Sequence, residues 1–256
     1  MNEKIFNRVE KKYLITKDDY SALTNLINQN LRHDDYYKSE IYNLYYDTDN
    51  FDFIINSIEH PDFKQKLRAR SYAGYDKVFL EIKTKLLGRA IRIGELEDTD
   101  LDGSNNLGYK RRVLLTRSEY DLLRSGKTTC EALAAANPES ASEPQIAREV
   151  DYFIARFHQT PKILVYYNRE SYRDDHDLRI TFDSGLHYRD KNLDFVKNAR
   201  DPALFDTAKD AKCIIMEIKA ENALPLWLVH ELGKRHIYPQ RFSKIGNIYE
   251  RIKNVQ

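Results

Sequence analysis

The chain has 256 residues and a mass of 30.2 kDa, room for one large domain or two small ones. Lys and Arg total 41 against 40 Asp and Glu, a formal net charge of +1, which argues against a generally basic nucleic-acid coat or an acidic tail and leaves a local basic cavity open. With 41% hydrophobic residues, 18 tyrosines, a charged start and no apolar run near the roughly 20 residues of a membrane span, the expectation is a soluble, cytoplasmic, globular protein.

Strict alternation of apolar and polar residues predicts the first strand over Asn7–Ile15. Thr16 to Asp19 then form a capping-box pattern, with Asp in place of Glu, before Tyr20, Leu23, Leu26 and Ile27 at helical spacing. Strands follow at Lys38–Tyr46, Lys64–Tyr72 and Val78–Lys85, and Gly88–Gly108 reads as an acidic loop containing Gly and Asn. A fifth strand, Tyr109–Thr116, leads into a second capping box, Thr116 to Glu119, ahead of Tyr120, Leu122 and Leu123. The two strand–helix units read alike: basic strand, Thr cap, acidic third position, Tyr, apolar stripe. Ala134–Pro144, rich in Ala, Ser, Pro and Glu, reads as a linker. Strands at Ile163–Arg173, Leu178–Asp183 and Cys213–Ala220 complete a set of eight, and a last helix runs from about Pro225 to Leu232 and stops at Gly233. No composition shift forces a boundary, so one domain over residues 1–256 is expected.

Several chemistries drop out early. Cys130 and Cys213 are far apart with no ligand spacing around them, and the seven histidines form no HExxH pair. Neither GxSxG nor GxxxxGK[ST] occurs. What remains is a pattern of charges. Side chains two apart on a strand share a face. Arg8, Glu10 and Lys12 align in this way, as do Lys66, Arg68 and Arg70, then Glu81, Lys83 and Lys85, and Lys110 and Arg112. Arg179, Thr181 and Asp183 share a face opposite Leu178, Ile180 and Phe182, and Glu217 and Lys219 share one opposite Met216 and Ile218. An antiparallel sheet with one wet face is the simplest source of such a pattern. The other source is a sheet of about eight strands closed on itself with the charges inside. Uncompensated buried cations are costly, so such a lumen requires a polyanion or fixed counter-ions. Arg forks suit phosphate oxygens, and interspersed carboxylates suit a divalent metal bridging them.

These segments resemble the VTC domain of polyphosphate polymerases, a branch of the triphosphate tunnel metalloenzyme superfamily that also contains the CYTH phosphatases. The resemblance runs in order from FNRVEKKYLI through YNLYYDTDNFDFI, KLRARSY, VFLEIKTK, GYKRRV, YNRESY, LRITFDSGL and IMEIKAENALPLWL to QRFSKIGNIY. It implies an α+β fold, an antiparallel eight-stranded closed β-tunnel with helices outside. It also implies an ATP-dependent polyphosphate polymerase that passes the γ-phosphate of ATP to a growing polyphosphate chain. By position it implies Arg68, Arg70, Lys83, Arg179 and Lys219 as catalytic phosphate contacts, and Lys12, Lys110, Arg112, Arg169, Arg241, Ser243 and Lys244 as further substrate contacts. Glu217 in MEIK matches the family's metal-binding glutamate, with Mn²⁺ or Mg²⁺ expected, and Glu10 stands where CYTH phosphatases carry metal-binding acids. The family carries Lys near the position of Arg241.

On the residues alone, Glu217 and Lys219 also read as a cross-strand ion pair, as do Lys83 and Glu81, and Ser243 reads equally as a phosphate contact or a turn cap. The segment Gly88–Gly108 is longer than the family's connection there and reads as a tunnel-mouth lid or a surface loop. A triphosphatase and a non-catalytic polyphosphate or nucleotide sensor are the alternatives to the polymerase. ATP and polyphosphate are the expected partners and nucleic acid is not. Because eukaryotic relatives work with membrane subunits, any such coupling would need a second protein.

Overall fold

In the computed structural model, residues 8–59, 63–86, 107–136, 144–206, 210–221 and 223–254 are described. Strands β1 (Arg8–Thr16), β2 (Arg32–Asp47), β3 (Phe63–Tyr72), β4 (Lys77–Leu86), β5 (Leu107–Thr116), β6 (Thr160–Arg173), β7 (Arg179–Arg189) and β8 (Lys212–Glu221) form one sheet in the order β1-β8-β7-β6-β2-β3-β4-β5. All eight expected strands are present; β2 begins at Arg32 rather than Lys38, and β7 runs on to Arg189. The helices among the described residues are α1 (Lys17–Asn30), α2 (Asp52–Ile58), α3 (Arg117–Arg124), α4 (Thr129–Ala136), α5 (Pro144–Phe157), α6 (Leu226–Lys234) and α7 (Lys244–Lys253). The architecture is α+β, as expected. Closure into a tunnel would need β1 to meet β5; these strands end the sheet order, and no pairing joins them among the described residues.

Both capping boxes form. Thr16 Oγ1 accepts from Asp19 N at 3.0 Å and Thr116 Oγ1 from Glu119 N at 3.2 Å, and in each the acidic side chain reaches back to the Thr N–H. The last helix expected from sequence ends at Lys234, one residue past Gly233. Of the stretch Ala134–Pro144, the first residues finish α4 and Pro144 opens α5, with 137–143 outside the described residues. The acidic loop Gly88–Gly108 also lies outside them, apart from its last two positions in β5.

The chain divides into two compact units. The first holds Met1–Ile41, Tyr166–Tyr188 and Ala199–Asn247, the second Tyr42–Val165, Arg189–Asn198 and Ile248–Gln256. In the first, Tyr13 and Ile15 of β1, Ile180 and Phe182 of β7 and Met216 and Ile218 of β8 pack with Leu23 and Ile27 of α1 and Leu228 and Leu232 of α6. Each such side chain stabilises the unit by about 1.5–3 kcal/mol when fully buried. In the second, Leu67 and Ala69, Val78 and Leu80, and Val113 and Leu115 line the buried face of β3, β4 and β5, and α3 and α5 lie against β5. Because strand side chains alternate, burying these residues turns the charged ones to the opposite face. No helix among the described residues is long and apolar enough to cross a membrane.

Candidate functional site: two charged grids

In the first unit, strand register sets the charges in rows. Glu10 of β1, Lys219 of β8 and Arg179 of β7 are neighbours in one row, and Lys12, Glu217 and Thr181 in the next. Each row holds one carboxylate, Glu10 or Glu217, beside a lysine, and the contacts follow. Lys219 Nζ lies 2.7 Å from Glu217 Oε1 and 3.9 Å from Glu10 Oε2, and Lys12 Nζ lies 3.5 Å from Glu10 Oε1. Burial raises the pKa of Glu217, but Lys219, Lys12 and Lys244 outweigh it and hold the carboxyl well below the usual range. The ion pair read from sequence for Glu217 and Lys219 is formed, but along one strand rather than across two, since both residues lie on β8.

Beyond these rows lies Asp183, fully buried, which gathers two cations. Arg169 grips it with Nε at 2.7 Å and Nη2 at 2.8 Å, and Lys244 Nζ lies 2.6 Å from Oδ2. Both cations also stand over the Tyr167 ring, at 5.6 Å and 5.0 Å. Burial works against the Asp183 charge, yet Lys244 and Arg169 hold its pKa below the ordinary value. The same partnership raises Lys244 and Arg169 against their own burial. Asp183 received no site role from sequence, because its partners come from β6 and α7, far along the chain. The RFSK segment is fastened here too: Gln240 N donates to Lys12 O at 2.7 Å and Lys12 Nζ to Phe242 O at 3.4 Å. Ser243 Oγ accepts from Gly246 N at 3.2 Å, so it caps α7, one of the two roles open to it. Arg241 is exposed. Arg179 is drawn to Asp34, with Nη2 at 2.8 Å from Oδ2, and its Nε donates to Ser171 Oγ at 3.0 Å.

The second unit has a different grid. Lys66, Lys83 and Lys110 stand abreast on β3, β4 and β5; Arg68, Glu81 and Arg112 form the next row; Lys64 and Lys85 are paired beyond the lysines. Only Glu81 carries negative charge among these positions. It is buried, with Arg68 Nη2 and Lys110 Nζ each 2.6 Å away and Arg70 Nε at 4.0 Å. Burial raises its pKa, but Arg68, Arg70 and Lys110 bring it down to about 2. Arg70 Nε donates to Asn43 Oδ1 at 2.8 Å, and Arg112 lies 5.0 Å from the centre of the Phe79 ring. Lys110 behaves unlike Lys244. Burial and the repulsion of Arg70 and Arg68 hold its pKa below the usual lysine value in spite of its bond to Glu81. Among these strand positions the cations outnumber the one carboxylate. Lys66 was on the right face in sequence, but its rank with Lys83 and Lys110 appears only once the register is known.

Of the expected site residues, the first unit brings Glu10, Lys12, Glu217 and Lys219 together and gathers Arg169 and Lys244 at Asp183. The second gathers Arg68, Arg70, Lys83, Lys110 and Arg112 around Glu81. Glu217 and Glu10 both contact Lys219, which limits their separation to the sum of those two contacts. Across the strand from Glu217, the Thr181 hydroxyl is buried with no hydrogen-bond partner among the described residues. Among the described residues no group of three or more His, Cys, Asp or Glu is assembled. Two carboxylates beside an unpartnered hydroxyl do not make an all-protein cage. They do fit Mg²⁺ or Mn²⁺, hard ions that keep water and take further oxygens from a substrate's phosphates.

No curated protein is detectably similar in sequence to this chain. Among solved structures, a Hippeastrum protein named for adenylyl cyclase and described with a dominant triphosphatase activity is similar at 15% identity and a TM-score of 0.50, covering 93% of each chain. A Pyrococcus horikoshii OT3 protein is 12% identical with a TM-score of 0.47, covering 97% of this chain and 99% of that one. A Bacillus halodurans protein assigned as an adenylate cyclase is 13% identical with a TM-score of 0.45, covering 93% and 94%. At such identity the Hippeastrum likeness speaks for the fold alone. The family model described as VTC domain matches residues 7–252, nearly the whole length over which the sequence resemblance runs, and the chain therefore belongs to the VTC domain family.

Proposed function

We propose that this chain is an ATP-dependent polyphosphate polymerase, with the sheet closing into a tunnel and the whole chain acting as one domain. The observation that carries the proposal is the rank of Lys66, Lys83 and Lys110 in register on adjacent strands, beside a row holding two arginines and one carboxylate. Like charges directly opposite one another destabilise a sheet. A chain of phosphates offsets that repulsion at every rung, which a single small anion does not. Membership of the VTC domain family supports the same substrate class.

In this proposal Arg68, Arg70, Lys83, Lys110 and Arg112 hold one run of phosphates, and Lys12, Arg169, Arg179, Lys219, Arg241 and Lys244 another. The terminal phosphate oxygen of the acceptor attacks the γ-phosphorus of ATP. The bond from that phosphorus to the β–γ bridging oxygen breaks, and ADP leaves. The nucleophile is already anionic, so no side chain has to remove a proton; the protein aligns the two ends and neutralises charge. A divalent metal on Glu217, with Glu10 as second carboxylate, would add positive charge at the donor phosphates. Lys219, now bonded to Glu217, is placed to transfer its ammonium to phosphate. Ser243 caps α7 in the free chain, and its hydroxyl is a further candidate contact to phosphate.

Incubation of the purified chain with ATP and Mn²⁺, resolved on a gel, tests the proposal. A polyphosphate ladder is expected, reduced at least about tenfold in Arg70→Ala and in Glu217→Ala. Free phosphate without a ladder would make the chain a triphosphatase, the activity described for the Hippeastrum protein of similar fold. Tight tripolyphosphate binding without turnover in either metal would make it a sensor.

A further inference from the structure

Within the second unit, a cavity of about 690 Å³ lies among the end of α3 and the turn after it, the end of α5, the start of β6 and the loop at 190–193. No residue of the charged grids lines it. Its volume is that of a site for a small organic ligand. The way α5 ends sets its chemistry. His158 is left-handed, with φ 49°, and the Gln159 N–H donates to Ile154 O at 3.0 Å, the long-range bond of a Schellman ending. The residue after the left-handed one folds back against the last turn, and an apolar side chain is the stable choice there. This chain places Gln159 at that position. It is 3% exposed, it lines the cavity, and among the described residues neither Oε1 nor Nε2 has a hydrogen-bond partner. An unpaired buried amide carries its full desolvation cost, so a glutamine there calls for a partner from outside the protein.

A carboxamide offers one acceptor and one donor side by side, the complement of a nucleobase edge that presents one of each. Ile154 and Pro161 supply apolar wall for the flat faces of a ring. Lys127 and Lys191 line the same cavity, are exposed, and form no salt bridge among the described residues, although Asp190 adjoins Lys191. The remaining charged groups on the wall are engaged. Arg124 is paired with Asp194, and Asp151 accepts from the N–H groups of Thr129 and Cys130. We propose that this cavity is a mononucleotide site, with the base edge on Gln159 and the phosphate on Lys127 and Lys191. The site is separate from the phosphate-binding residues of the proposed polymerase and does not depend on that activity.

Calorimetric titration with AMP, GMP, CMP and UMP, each in the presence of excess tripolyphosphate, tests it. At least one nucleotide is expected to bind one-to-one, undiminished by tripolyphosphate. Gln159→Leu should weaken that binding at least about tenfold, and the double change Lys127→Ala, Lys191→Ala should both weaken it and flatten its salt dependence. The leucine variant is expected to fold, since an apolar residue suits that position, and its melting temperature is the control. Displacement by tripolyphosphate would put the nucleotide on the charged grids and overturn the proposal. Equal affinity in Gln159→Leu, or no binding of any of the four, would overturn it as well.

Discussion

The charged faces of the two units are built from the same side chains and solve opposite problems. In the first, Asp183 is fully enclosed by Arg169 and Lys244, and the carboxylates Glu10 and Glu217 stand in adjacent rows among Lys12, Lys219 and Arg179. In the second, lysines stand beside lysines, and Glu81 answers Arg68, Arg70 and Lys110. The lysines show the difference. Lys244 is driven above its ordinary pKa by its partners, whereas Lys110 is held below it by burial and by its cationic neighbours. The Asp183 cluster holds two cations close on one buried carboxylate, whereas the Glu81 cluster sets one carboxylate beside a rank of lysines.

The largest expected effect separates these two states. Asp183→Asn leaves Arg169 and Lys244 buried without a counter-charge, and a loss of about 3–5 kcal/mol is expected in denaturant unfolding. Tripolyphosphate should restore less of it than of a loss at Glu81, because Arg169 and Lys244 are largely buried whereas Lys110 is exposed. Glu81→Gln should also destabilise the free protein, but there an added polyanion replaces the missing charge, and tripolyphosphate should recover most of the loss. Equal rescue of the two variants would erase the distinction between a buried cluster and one open at Lys110.

Acid gives a smaller and more graded effect. The Glu81 carboxyl lies at about 2 against an ordinary 4.5. A depressed carboxylate contributes stability that is fully present above the ordinary value and is lost as pH falls toward the folded one, here between about 4.5 and 2, on the order of 3 kcal/mol. Asp183 is depressed as well and acts with the same sign. Stability measured across that window should fall steeply in the native chain and less steeply in Glu81→Gln. An identical slope in the two would remove Glu81 as the group that titrates.

Much of this design was legible in the sequence, and the boundary has physical causes. Strands with one buried face announce themselves by alternation, which is why all eight were found and why Arg68, Arg70 and Lys83 were assigned to faces correctly. Both capping boxes are local, three residues long, and formed as read. Helix α5 was readable and missed: Pro144 stands at its first position, and Ala147, Val150 and Phe153 repeat at helical spacing. The Asp183 cluster was not readable. Its members come from β6, β7 and α7, and nothing local distinguishes an aspartate that will meet two cations from one that will meet water. The lysine rank needed register as well as face, and register is fixed by pairing, which one strand's sequence does not contain.

The smallest effect concerns how Lys244 reaches Asp183. Ser243 caps α7 through Gly246 N, and Lys244 is the first residue of the helix. Removing the cap with Ser243→Ala should cost about 1 kcal/mol of stability, the usual value for a lost serine cap. Ser243→Asp keeps an acceptor at the cap, and adds a negative charge one residue from Lys244. If Ser243 acts only as a cap, Ser243→Asp should recover the stability and the tripolyphosphate affinity of Ser243→Ala should be unchanged. If the hydroxyl instead meets phosphate, Ser243→Ala should weaken tripolyphosphate binding and Ser243→Asp should weaken it further, because the new charge repels the ligand. Melting temperature against affinity across the three side chains separates the two roles, since a cap moves the first and a phosphate contact moves the second.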